Sequence, residues 1–127
     1  MNEEEKKEQL FFDGLQAYEE KDFFEAHELW EELWSEYYLD DKTFIQGLIQ
    51  LAVSFVHLGN GNLNGAKSLM KKSGDKFSSY SGLHRGINID KLSKHISGLN
   101  LTVIIGLLVF LISDLLQFLF LKGLTGG

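Results

Sequence analysis

Hydrophobic positions recur every three to four residues from Leu10 to about residue 100, and beyond that they become nearly continuous. The first part therefore reads as helices separated by short polar breaks. Leu10, Phe11, Gly14, Leu15 and Tyr18 form one stripe of a first helix over about 3–20, behind an acidic opening. Asp22 is a good N-cap for a second helix running to about Tyr38, because its carboxylate can accept free backbone N–H groups. Asp40 or Asp41 starts a third helix that reaches Leu58, and Gly59 is expected to close it in the left-handed conformation glycine adopts at little cost. "GNGNLNG" (59–65) reads as a turn, with Asn62 capping a fourth helix over about 63–73 that Gly74 ends. Residues 75–87 read as a loop with one short helical turn, and a fifth helix is expected over 89–98. No internal repeat is visible. The fold class is all-α: a bundle of about five helices at residues 1–99, plus a hydrophobic C-terminal helix at 100–122.

The break in the pattern lies in "LTVIIGLLVFLISDLLQFLFL", residues 101–121. Sixteen of its 21 residues are Leu, Ile, Val or Phe, and 21 residues at about 1.5 Å each cross a bilayer core of about 30 Å. Each such residue favours insertion by about 0.3–0.6 kcal/mol near the centre, against a cost of about 2.5–3.5 kcal/mol for one Asp such as Asp114. Lys91, Lys94 and Lys122 flank the stretch. The topology expected is a cytoplasmic domain on a C-terminal tail anchor. The alternative is a helix buried in the bundle itself or shared with a second copy, since Thr102, Gly106, Ser113 and Gln117 form a weak polar stripe beside Asp114. Homo-oligomerisation is compatible with both.

Chemistry concentrates in the second and third helices. With His27 set at zero and about 100° per residue, Phe23, Phe24, Trp34 and Tyr38 lie within about 60° of it, and Glu31 at about 40°. His27 and Glu31 are thus expected to turn inward and pair, being four residues apart on one helix, while Glu25, Glu32 and Glu36 make a solvated face. The third helix carries no Asp, Glu, Lys or Arg between Thr43 and Leu58. Its polar arc holds Gln46, Gly47, Gln50, Ser54 and His57, an uncharged stripe better suited to a protein surface or polar interior than to water. His27, Glu31, Gln46, Gln50 and His57 are therefore expected to meet between the two helices. The cluster can serve as a self-satisfied network that fixes helix register, as a binding or catalytic site, or as a dimer contact. As a metal site for a divalent ion, His27, Glu31 and His57 supply three ligands and leave an open position for water. Without metal, Glu31 orients His27 as a general base. No serine is placed as a nucleophile, and "GNGNLNG" lacks the lysine and preceding strand of a phosphate loop.

Composition removes other classes. A formal net charge of −6 over 127 residues disfavours nucleic acid, which needs clustered Lys and Arg; Lys67, Lys71, Lys72 and Lys76 read as a solvated helix face. The absence of cysteine excludes disulfides, thiol nucleophiles and thiolate metal sites. The opening "MNEEEKKEQ" is too acidic for a signal peptide.

Three blocks in order, "FFEAHELWEELW", "FIQGLIQLA" and "HLGNGNLNGA", resemble the family of domain of unknown function 309 over roughly residues 10–74. By that resemblance Glu25, His27, Glu28, Glu31, Trp34, Gln46, Gln50, His57, Asn62 and Gly65 fall on family motif positions. The resemblance implies an all-helical bundle with a shared polar site and admits the plastid stroma or membrane as a location; it supplies no reaction, and residues beyond 75 carry no family motif. The combined reading is a binding or scaffold module of unknown ligand, with His27, Glu28, Glu31, Trp34, Gln46, Gln50, His57 and Asn62 lining its site. The alternative is a metal-dependent or general-base hydrolase-like enzyme centred on His27 and Glu31.

Overall fold

Five helices and one short β-hairpin form the chain in the computed structural model, which describes the backbone of residues 1–126 and the side chains of residues 1–117 and 119. Helix α1 spans Glu3–Glu19, α2 Phe23–Glu36, α3 Lys42–Gly59 and α4 Leu63–Phe77. Strands β1 (Leu83–His84) and β2 (Ile87–Asn88) pair antiparallel, and α5 spans Ile89–Gly126. Each of α1 to α4 packs on the next in chain order, and the start of α5 packs on α4. Phe11, Trp30, Leu33, Phe44, Ile45, Leu51, Met70 and Phe77 are fully buried between them. Beside this core Tyr18, Phe23 and Phe55 stack at the lower end of α3, where burial pushes the Tyr18 phenol up to about 12.

The two helical hairpins α1–α2 and α3–α4 are one unit built twice, forty residues apart. Asp22 and Asn62 both cap the following helix, accepting from Glu25 N at 3.2 Å and Gly65 N at 2.9 Å. Lys21 and Gly61 ahead of them both take positive φ, 65° and 76°. Asp22 N donates to Ala17 O, and Asn62 N to His57 O, each at 2.8 Å. Buried positions correspond as well: Phe11 with Leu51, Gly14 with Ser54, Ala26 with Ala66, Trp30 with Met70, Leu33 with Ser73. The sequence hides this repeat because only the caps, one alanine (Ala26 and Ala66) and one leucine (Leu29 and Leu69) keep their residue type or nearly so; elsewhere the two units share apolar character or burial but not residue type.

Two glycines set the helix spacing. A Cβ at Gly14 would lie 2.7 Å from Trp30 Cε2 and closer still to Nε1 and Cδ1, and one at Gly47 would lie 2.9 Å from Phe77 Cε1. Both positions let an aromatic ring lie against a neighbouring helix backbone, and the Trp30 indole uses the approach to donate to Phe11 O at 3.1 Å.

Several boundaries differ from the sequence expectation. Helix α2 stops at Glu36, because Tyr37 is extended. Gly59 stays helical and Gly61 takes the left-handed turn position. Gly74 does not stop α4, which continues to Phe77; Phe77 is buried in that extra turn, so packing outweighs the roughly 1 kcal/mol that glycine costs in a helix. The expected loop over 75–87 contains the β-hairpin, whose central Arg85 and Gly86 both have positive φ, as a two-residue hairpin turn of right-handed twist requires. The expected fifth helix and the hydrophobic segment are one helix, so the break at residue 99–100 falls inside α5. Ile89, Ile96 and Val103 are buried against the bundle at seven-residue intervals. From Leu108 onward the described side chains are exposed.

Candidate functional site

The His27–Glu31 pair forms: His27 Nε2 lies 3.1 Å from Glu31 Oε2, and His27 Nδ1 lies 3.0 Å from Phe24 O. It forms at the surface. The His27 side chain is one-fifth exposed, but that of Glu31 is 58% exposed, so the carboxylate is not turned inward as the aromatic arc suggested. The buried stripe of α2 is Ala26, Trp30 and Leu33, centred roughly 90° away from His27 on the helical wheel. Phe24 and Tyr38, expected to cover His27 from the inside, are exposed. The reason is Gly14, which admits Trp30 rather than His27 to the α1 backbone and thereby sets the rotation of α2.

The other expected members are not gathered around this pair. His57, half-buried near the end of α3, has its Nδ1 3.3 Å from Asn62 Nδ2, so it belongs to the α3–α4 turn. Gln46 and Gln50 are half-buried on the same α3 stripe as His57, while Gly47 and Ser54 face α4: Ser73 Oγ donates to Gly47 O at 2.8 Å, and Ser54 is fully buried. Glu28 and Asn62 are exposed, and Trp34 is half-buried under the Lys42 ammonium, 4.3 Å from the ring centre. Gln50 Oε1 and Trp34 Nε1 are buried without a hydrogen-bond partner. Among the described residues no three His, Asp or Glu side chains converge where one ion could be held. His27, Glu31 and His57 are thus not assembled as a ligand set.

A better-ordered polar site lies at the opposite end of the bundle. Asp41, 8% exposed, accepts Arg85 Nη2 at 2.9 Å, Arg85 Nε, and His84 Nε2 at 2.8 Å. Burial opposes ionisation of Asp41, but the hydrogen bonds and positive charge of Arg85 and His84 outweigh it and hold the carboxyl below the usual aspartate range. The Arg85 guanidinium lies over the Phe11 ring at 4.9 Å, and His84 packs edge-on against Phe44 and Tyr80. Because the Asp41 side chain is engaged by the hairpin, it makes no cap hydrogen bond to α3. Phe44 N instead donates to the Tyr80 hydroxyl at 3.2 Å. Beside this network opens a cleft of about 530 Å³ lined by Glu4, Lys7, Glu8, Tyr38, His84 and Arg85. The sequence alone offers Asp40 or Asp41 as the start of α3 and reads residues 84 and 85 as loop. The one available signal was "HRGI", a turn glycine behind an arginine; nothing local links it to an aspartate more than forty residues earlier.

Comparison with known proteins places this geometry in context. The family model of a domain of unknown function (DUF309) matches residues 11–69, from the buried face of α1 through α2 and α3 into α4. No match was found among curated proteins or among solved structures. The resemblance to that family is thus borne out as a match of its model to residues 11–69.

Proposed function

We propose that this protein is a membrane-tethered binding module, a pair of helical hairpins held at a bilayer by the free part of α5. The observation that carries the reading is the exposure of α5 below the bundle. Leu108, Val109, Phe110, Leu111, Ile112, Leu115, Leu116 and Leu119 are each at least half exposed, and on a helical wheel they lie on nearly every side. A second copy covers one side of such a helix; lipid covers them all. Ile89–Gln117 is long and apolar enough to cross a membrane by length and composition. From Leu108 to Gly126 the helix backbone measures about 28 Å, close to the roughly 30 Å of a bilayer core.

Within this reading the uncharged α3 stripe of Gln46, Gln50 and His57 is the partner-facing surface, with His27, Glu28, Glu31 and Trp34 on the neighbouring α2 and Asn62 at the turn. Its support is chemical: a solvent-facing helix stripe normally carries charge, whereas this one is uncharged, half-buried and cheap to cover with another polar surface. The test is flotation of the full chain with phosphatidylcholine vesicles after an alkaline wash. The wild type is expected in the vesicle fraction, and a Leu111→Arg, Leu115→Arg double variant in the soluble fraction. A wild type that stays behind at the bottom of the gradient overturns the proposal.

A further inference from the structure

The membrane reading leaves open which end of the bundle meets the lipid and with what chemistry. The chain order answers the first part. Phe23 at the start of α2 stacks on Phe55 near the end of α3, with ring centres 4.4 Å apart, so the α1–α2 and α3–α4 turns lie at the same end. Helix α5 begins beside the other end, after the hairpin that binds Asp41, and runs back along α4. It passes the α3–α4 turn at Leu107 and Phe110, which line a recess with Gly61, Asn62, Leu63 and Asn64. From Leu108 onward every described side chain of α5 is exposed.

Resting on the proposed membrane attachment, we infer that the turn-bearing end is a lipid-contacting face: the asparagine turn at Asn60–Asn64 lies among the lipid headgroups, and Phe24 anchors the far rim in the bilayer interface. The turn beside α5 carries no charge over residues 59–66, so it can approach headgroups without Coulombic cost while its amides hydrogen-bond to phosphate and glycerol oxygens. Phe24, in the first turn of α2, is 58% exposed although it is a large aromatic; Phe is among the apolar side chains that interfacial helices bury at the boundary of headgroups and acyl chains. The charged groups near it are Glu19, Glu20, Lys21, Asp22 and Glu25, mostly acidic, so this rim stays at headgroup depth and prefers zwitterionic to anionic lipid. The opposite end, with Glu4, Lys7, Glu8, Asp40, Asp41, His84 and Arg85, faces away from the bilayer.

The absence of cysteine makes the test direct. Single variants Phe24→Cys, Asn64→Cys, Tyr38→Cys and Leu115→Cys of the full chain are labelled with an environment-sensitive fluorophore and reconstituted into phosphatidylcholine vesicles containing brominated lipid. Labels at 24 and 64 are expected to be quenched at least about twofold more than the label at 38, which sits at the opposite end. Enriching the vesicles in phosphatidylserine is expected to reduce quenching at 24. Equal quenching at 24, 64 and 38, or the reverse order, overturns the inference while leaving the tether intact. An unquenched label at 115 means that α5 is not in lipid, which overturns the attachment and this face with it.

Discussion

Replacing Gly14 with alanine puts a methyl group where the Trp30 indole already lies. The added Cβ would sit 2.7 Å from Cε2 and closer to Nε1 and Cδ1, distances at which either the indole or the α1 backbone must move. Helix propensity alone favours alanine over glycine by about 0.8–1 kcal/mol. Against this, forcing a group into a well-packed core costs about 1–3 kcal/mol. An indole that swings aside also gives up its hydrogen bond to Phe11 O, a net loss of about 0.5–1.5 kcal/mol. The balance is a destabilisation of about 2 kcal/mol. The same change at Gly74 provides the control, since a Cβ there meets only Ile96 Cγ2 at an ordinary 3.8 Å, leaving the propensity gain of up to about 1 kcal/mol. Urea unfolding of the full chain in mild detergent, followed by far-ultraviolet circular dichroism, measures both. Opposite signs are expected. If both variants gain stability together, Gly14 is not the device that admits Trp30, and the account of why α2 turns His27 and Glu31 toward water fails with it.

The hairpin repeat makes a paired prediction: Lys21→Gly should stabilise the chain by about 0.5–1 kcal/mol, because left-handed backbone is costly for a side-chain-bearing residue, and Gly61→Ala should destabilise it by about 1 kcal/mol; thermal melts in one buffer compare them. The Asp41 network predicts acid sensitivity. Its folded carboxyl titrates below the ordinary value, so its contribution is complete above about pH 4 and is lost as pH falls through the depressed folded value; Asp41→Asn should flatten the stability–pH curve over that range, and an unchanged curve would count against the network. His27→Ala should cost less than about 1 kcal/mol, since the exposed Glu31 makes it a surface pair; a loss of several kcal/mol in the same urea assay would mean the pair is buried in solution.

Much of the architecture was legible because it depends on short-range chemistry. Asp22 and Asn62 act as caps where the sequence placed them, since capping needs only an acceptor three residues ahead of a free N–H. The all-α class and the apolar character of 101–121 followed from periodicity and composition, which need no partner. The rotation of a helix about its own axis is another matter. Four aromatics around His27 suggest an inward face, yet the choice between His27 and Trp30 was made by a glycine on a different helix. Likewise the repeat is a repeat of burial and backbone conformation, not of residue type, and Asp41, His84 and Arg85 meet only because the β-hairpin folds back onto the start of α3. What the sequence determined by itself was the set of helices, their caps and the one segment apolar enough to leave the bundle. Which faces touch, that the start of α5 docks on α4 while its described side chains from Leu108 onward stay exposed, and which polar groups find each other were decided by tertiary packing, because those outcomes turn on contacts between residues far apart in the chain that no local pattern encodes.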